Sequence, residues 1–86
     1  MRIAFVMDPL PSLSLKKDST LAMIRAAQRR GWRVFYLEQR DLVLRQGEAY
    51  GFLHPLRLTG RFAETLDPAD AADGWYELGE GVETPL

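Results

Sequence analysis

An uninterrupted apolar run at the start of the chain, Arg2 to Met7, constrains the fold more than any other feature. A strand without polar alternation is the mark of a sheet covered on both faces, as parallel sheets are. Asp8-Pro9 closes the run, because proline lacks a ladder donor and restricts the residue before it. After a loop, a helical pattern extends from about Ser19 to Arg30. At about 100° per residue, Leu21, Met23, Ile24 and Ala27 fall on one side, while Arg25 and Arg29 point the other way. Asp18 is placed as N-cap, and Gly31 as the left-handed residue just past the helix end. Trp32 to Glu38, rich in aromatic and β-branched residues, reads as the second strand. Strand, helix and strand make one βαβ unit, with a crossover expected to be right-handed.

Beyond Glu38 the pattern changes. Leu42 to Arg45 and Ala49 to Leu58 read as a hairpin around the tight-turn signal Gln46-Gly47-Glu48, with Pro55 marking an edge or a bulge. Asp67 to Gly74 is an acidic turn or a short helical turn, and Trp75 to Leu78 is expected as one more short strand. The residues after Gly79 show no packing pattern. The expected fold class is therefore α/β: an open parallel sheet with one packed helix and a β-hairpin. Such a sheet normally has more strands and helices on both faces, so the chain is expected to be cut short.

Composition narrows the function classes. With 86 residues there is room for one small domain, and a net charge of −1 argues against nucleic acid or an anionic membrane as main partner. The absence of cysteine excludes disulfides, thiolate metal sites and a cysteine nucleophile. No run approaches transmembrane length and none has signal-peptide form, which makes a cytoplasmic protein the default expectation.

The loop before the helix concentrates the chemistry. Lys16 and Lys17 stand beside Asp18, Ser19 and Thr20 where a helix begins, and free N–H groups there favour phosphate or carboxylate. In α/β sheets this turn lies at the carboxyl end of the strand, the usual place for ligands. The plainer reading is that Asp18 only caps the helix and the lysines are solvated. Neither GxGxxG nor GxxxxGK is present. Asp8 is either a ligand-facing carboxylate or an Asx-turn former before Pro9. His54, the single histidine, reads as a surface or edge-strand residue rather than a metal ligand or catalyst. Asp67, Asp70 and Asp73 read as a solvated turn, and Trp32, Phe35, Tyr36, Trp75 and Tyr76 as packing residues. No nucleophile–base pair is visible.

Three blocks then act together: Met7-Asp8-Pro9, Lys16-Lys17-Asp18-Ser19 and Ala27-Gln28-Arg29-Arg30-Gly31. At this spacing they resemble the N-terminus of bacterial-type glutathione synthetase. The likeness continues through Asp41-Leu42, Gly47-Glu48-Ala49 and Trp75-Tyr76. The resemblance implies an ATP-grasp ligase that joins γ-glutamylcysteine to glycine with ATP and magnesium, commonly as a homotetramer. It implies that residues 1–86 are a partial Rossmann-like, pre-ATP-grasp domain that helps hold the dipeptide. Asp8, Lys17, Asp18 and Ser19 would then form the substrate wall, while ATP and Mg2+ would be held by later domains. No catalytic residue and no metal ligand is expected within these residues, and ligation is not expected of them alone. The alternative is a non-catalytic α/β module that binds a small anion or self-associates.

Overall fold

The computed structural model describes residues 1–13, 15, 19–72 and 74–86. Strand β1 (Arg2–Val6) leads through a 3-10 turn at Leu10–Ser12 into helix α1 (Ser19–Arg29), and strand β2 (Arg33–Leu37) follows. A second 3-10 turn, Gln39–Asp41, precedes the hairpin β3 (Leu42–Arg45) and β4 (Glu48–Leu58). The chain then forms a short helix α2 (Phe62–Thr65), a 3-10 turn at Pro68–Ala71, and strands β5 (Tyr76–Leu78) and β6 (Val82–Pro85). The six strands form one open sheet ordered β1-β2-β4-β3, with β5 and β6 also paired to β4. β1 and β2 are parallel, with Ile3 beside Val34 and Phe5 beside Tyr36; the pairs made by β4 are antiparallel.

The core lies on one face of this α/β sheet. Leu21, Ile24 and Ala27 of α1 are buried against Val34, Tyr36, Leu56 and Leu58. Phe62 and Trp75 close the same core, their rings 5.3 Å apart. α1 ends as its sequence demands. Gly31 takes φ +76°, while the amides of Gly31 and Trp32 donate to the carbonyls of Gln28 and Ala27 at 3.0 and 3.1 Å, a Schellman closure. The β3–β4 turn also follows its sequence signal: Gln46 and Gly47 both have positive φ, as a two-residue type I′ hairpin requires.

Four local expectations are corrected. β1 is an edge strand rather than one buried on both faces: Arg2, Ala4 and Val6 are exposed while Ile3 and Phe5 meet the core. Met23 lies off the buried stripe of α1 and is 53% exposed, because it is two residues, or roughly 200°, from Leu21. Pro55 sits within central β4, opposite the gap between β5 and β6, where no ladder donor is required. The tail after Gly79 is ordered by backbone pairing, with Val82–Pro85 set against Leu53–Tyr50. Helix α2 went unforeseen because four residues carry too little periodicity to read.

Gln28 joins α1 to the sheet. Its side-chain amide donates to the Leu58 carbonyl at 2.9 Å, and its oxygen accepts from the Leu58 N–H at 2.8 Å. It thereby acts as a strand would at a point where β2 has not yet begun. Gln28→Ala strands both backbone groups of the buried Leu58, so it should destabilise the fold by about 1–3 kcal/mol. A lowered urea midpoint with an unchanged slope is the expected result. Gln28→Glu should recover little, since a carboxylate faces the Leu58 carbonyl without a proton to donate.

Candidate functional site at the carboxyl end of the parallel strands

The ends of β1 and β2 open into a cleft of about 350 Å³, bounded by Val6, Asp8, Leu13, Thr20, Gln39 and Leu42. Three separate stretches build it. Asp8 stands two residues past the end of β1, and Pro9 starts the turn that carries Leu10 into the core, where it is 2% exposed. The Ser12 hydroxyl donates to the Pro9 carbonyl at 2.7 Å and closes that turn. Thr20 comes from the first turn of α1, and Gln39 from the 3-10 turn after β2. One wall is thus a carboxylate, another a helix start with its hydroxyl, and the floor apolar.

The Gln39 side of the cleft is fixed by a polar network. The Glu38 amide donates to Asp41 Oδ2 at 2.9 Å, and the Asp41 amide donates back to the Glu38 carbonyl at 2.9 Å. The Tyr36 hydroxyl donates to Glu38 Oε2 at 2.8 Å, and Arg40 Nε lies 3.2 Å from Glu38 Oε1. His54, half-buried in β4, lies on the other side of the same turn. Its Nδ1 is 3.1 Å from the Gly79 carbonyl, and its Nε2 is 3.9 Å from Asp41 Oδ2. Gly81 packs so closely that a Cβ there would lie 2.7 Å from the imidazole. His54 lies in β4 opposite Tyr36 of β2 rather than on an edge strand, and it stands outside the cleft.

The anticipated site residues divide. Asp8 lies on the cleft and is exposed to it. Ser19 opens α1 and is exposed, but the neighbouring Thr20 is the one on the cleft wall. Lys16, Lys17 and Asp18 lie outside the described residues. Gln39 and Leu42 were not anticipated. Their signal was position alone: Gln39 follows β2 much as Asp8 follows β1. The acidic segment serves locally, Asp67 Oδ1 accepting from the Ala69 amide and Asp70 Oδ2 from the Thr65 hydroxyl; Asp73 lies outside the described residues. Among the described residues no group of three acidic or histidine side chains is arranged to hold a metal ion. None of their helices is long and apolar enough to cross a membrane.

The family described as prokaryotic glutathione synthetase, N-terminal domain, matches residues 1–86. The chain belongs to that family. It is similar to the glutathione synthetase of Pseudomonas putida, 49% identical over 86 residues, covering 100% of this chain and 24% of the relative. That of Shewanella oneidensis is 40% identical with the same coverage, and that of Nitrosomonas europaea is 40% identical over 25% of its length. The chain therefore spans about a quarter of these relatives, 24% for the first of them. Family membership accounts for the three sequence blocks, and the structure sets Asp8 of the first beside the start of α1, where the second leads.

The network makes a pH prediction. Burial first, and the Glu38 carboxylate second, push the Tyr36 phenol up from 10.0 to about 12. A raised folded value favours the protonated form in the native state. This stabilisation is complete below pH 10 and is lost as pH rises through about 12. Stability should fall over that window, and Tyr36→Phe should flatten the fall. An unchanged alkaline slope in the variant would show that Tyr36 is not the group responsible.

Proposed function

We propose that residues 1–86 are the N-terminal domain of an ATP-dependent ligase, a glutathione synthetase, and that the cleft holds part of its γ-glutamylcysteine substrate. The observation that carries this reading is the family match along the whole chain, joined to a cleft at the strand ends where α/β sheets receive ligands. In this reading glycine is the second substrate, the protein is cytoplasmic, and the assembly is a homo-oligomer, a tetramer as in the family.

The chemistry of the cleft suits a zwitterionic peptide. The exposed Asp8 carboxylate offers a partner for the dipeptide's ammonium group. The start of α1, with Ser19, Thr20 and the adjoining Lys17 of the sequence, offers positive potential and donors for a carboxylate, and Asp18 beside them a second acceptor for the ammonium group. Val6, Leu13 and Leu42 supply apolar surface and exclude water from the aliphatic part. The role of these residues is to bind and orient.

ATP and Mg2+ supply the activation of the carboxylate when the family's reaction runs. The described residues do not fit them, offering no carboxylate cluster for the cation and no phosphate-loop motif. In this proposal both are held by the part of the longer polypeptide that the relatives have beyond the matched quarter.

Asp8→Asn in the full-length ligase should raise KM for γ-glutamylcysteine about tenfold, the loss of one charge-assisted contact, and leave KM for ATP nearly unchanged. Lys17→Ala should behave alike. Steady-state kinetics with each substrate varied in turn decides. Equal effects on both substrates, or none on the dipeptide, would remove these residues from the site.

A further inference from the structure

At the end of the sheet opposite the cleft, arginines stand side by side. Arg2 of β1 is the direct neighbour of Arg33 of β2 in the parallel ladder. Phe35 pairs with Pro55, and two positions further on each strand Arg33 and Arg57 follow on the same face. The adjacent Ile3, Val34 and Leu56 turn into the core, so all three arginines project from the face away from α1. Neighbouring strands are about 4.8 Å apart, and like charges set side by side on one face repel. Arg57 is paired with Glu77 at 2.9 Å. The side chains of Arg2 and Arg33 have no hydrogen-bond or ion-pair partner among the described residues. Arg33 and Arg57 border a cavity of about 240 Å³, bounded also by Gln28, Trp32, Phe35 and Pro55. The Arg30 guanidinium lies 5.4 Å from the centre of the Trp32 ring and adds positive charge at the same end.

We propose that Arg2, Arg33 and Arg57 form a phosphate-binding site, for free phosphate or a phosphomonoester. Uncompensated repulsion in an otherwise consistent sheet is expected where a ligand supplies the missing charge. The number of donors selects the ligand class. A guanidinium gives two parallel bonds to a carboxylate, whose two oxygens are thereby taken by one arginine. A phosphate group carries about −1.5 to −2 charge near pH 7 and at least three acceptor oxygens, so it takes donors from Arg2 and Arg33 at once. Arg57 joins from the third strand, because its pair with Glu77 is exposed on both sides and weak against a dianion. The Trp32 and Phe35 rings line the cavity beside Arg33 and leave room for a small organic group on the phosphate. This site stands or falls independently of the cleft, which lies at the opposite ends of β1 and β2.

Titration of the full-length polypeptide with inorganic phosphate, at an ionic strength held constant with chloride, tests the site. The arginine Nε–Hε signals in NMR spectra report it at single residues. Those of Arg2 and Arg33 should move together and saturate. Arg33→Gln should weaken the response at Arg2 about tenfold, the loss of one charge-assisted pair of bonds. In phosphate-free buffer the same variant should keep or raise the urea midpoint, since a repelling charge is removed. Glycerol phosphate in a parallel titration separates the two sources. Tighter binding with a shift of the Trp32 indole N–H assigns the site to a phosphomonoester, and equal or weaker binding assigns it to free phosphate. Signals of Arg2 and Arg33 that stay unmoved while others in the protein respond would overturn the proposal. So would an unchanged response at Arg2 in Arg33→Gln, or acetate that saturates both signals as tightly as phosphate.

Discussion

Every strand except β1 is held in place by its pairing with β4. Its 11 residues bond to β2 and β3 and also to β5 and β6, and the register at Tyr50 and Gly51 puts β3 and β6 on opposite sides of it. A backbone that must be hydrogen-bonded on both edges leaves little freedom to its partners. Where pairing fails, side chains take over: Gln28 serves Leu58, and Pro55 occupies a place that needs no donor. Side chains on one face of the same strand, Leu56 and Leu58, form the floor on which α1 packs. The strand thus sets both the sheet and the position of the helix whose start borders the cleft.

The cleft follows from that frame. Parallel β1 and β2 end together, so the residues just after each, Asp8 and Gln39, come side by side although 31 positions apart in sequence. α1 is fixed by its buried stripe, which places Thr20 against them. The turn carrying Gln39 is in turn locked by Glu38, Asp41 and Tyr36, so this side of the cleft is preorganised before any ligand arrives. Preorganisation lowers the ordering cost of binding for a ligand that enters the cleft.

Much of this was readable from residue types. The Schellman glycine, the Gln46-Gly47 turn and the 3.6-residue stripe of α1 are local signals, and each produced the element it announces. What could not be read depended on pairing at long range. The apolar run of β1 implies cover on both faces, yet among the described residues β1 stands at an edge with Arg2, Ala4 and Val6 exposed. Val82–Pro85 is a strand because β4 offers an edge to it, not because Gly-Val-Glu-Thr-Pro favours extension. His54 shows the same limit: nothing local reveals that Gly79 and Asp41 will meet on either side of its ring. At the site, Asp8 was legible from its place after an apolar run, while Gln39 needed the register of β1 on β2.

The central claim is that the dipeptide binds at the strand ends. Backbone amide shifts of the full-length ligase, followed while γ-glutamylcysteine is added without ATP, test it most directly. The account predicts saturable changes concentrated at Asp8, Thr20 and Gln39, with the amides around Gly79 and Leu58 still. Changes confined to other parts of the protein, with these three unmoved at saturation, would contradict it.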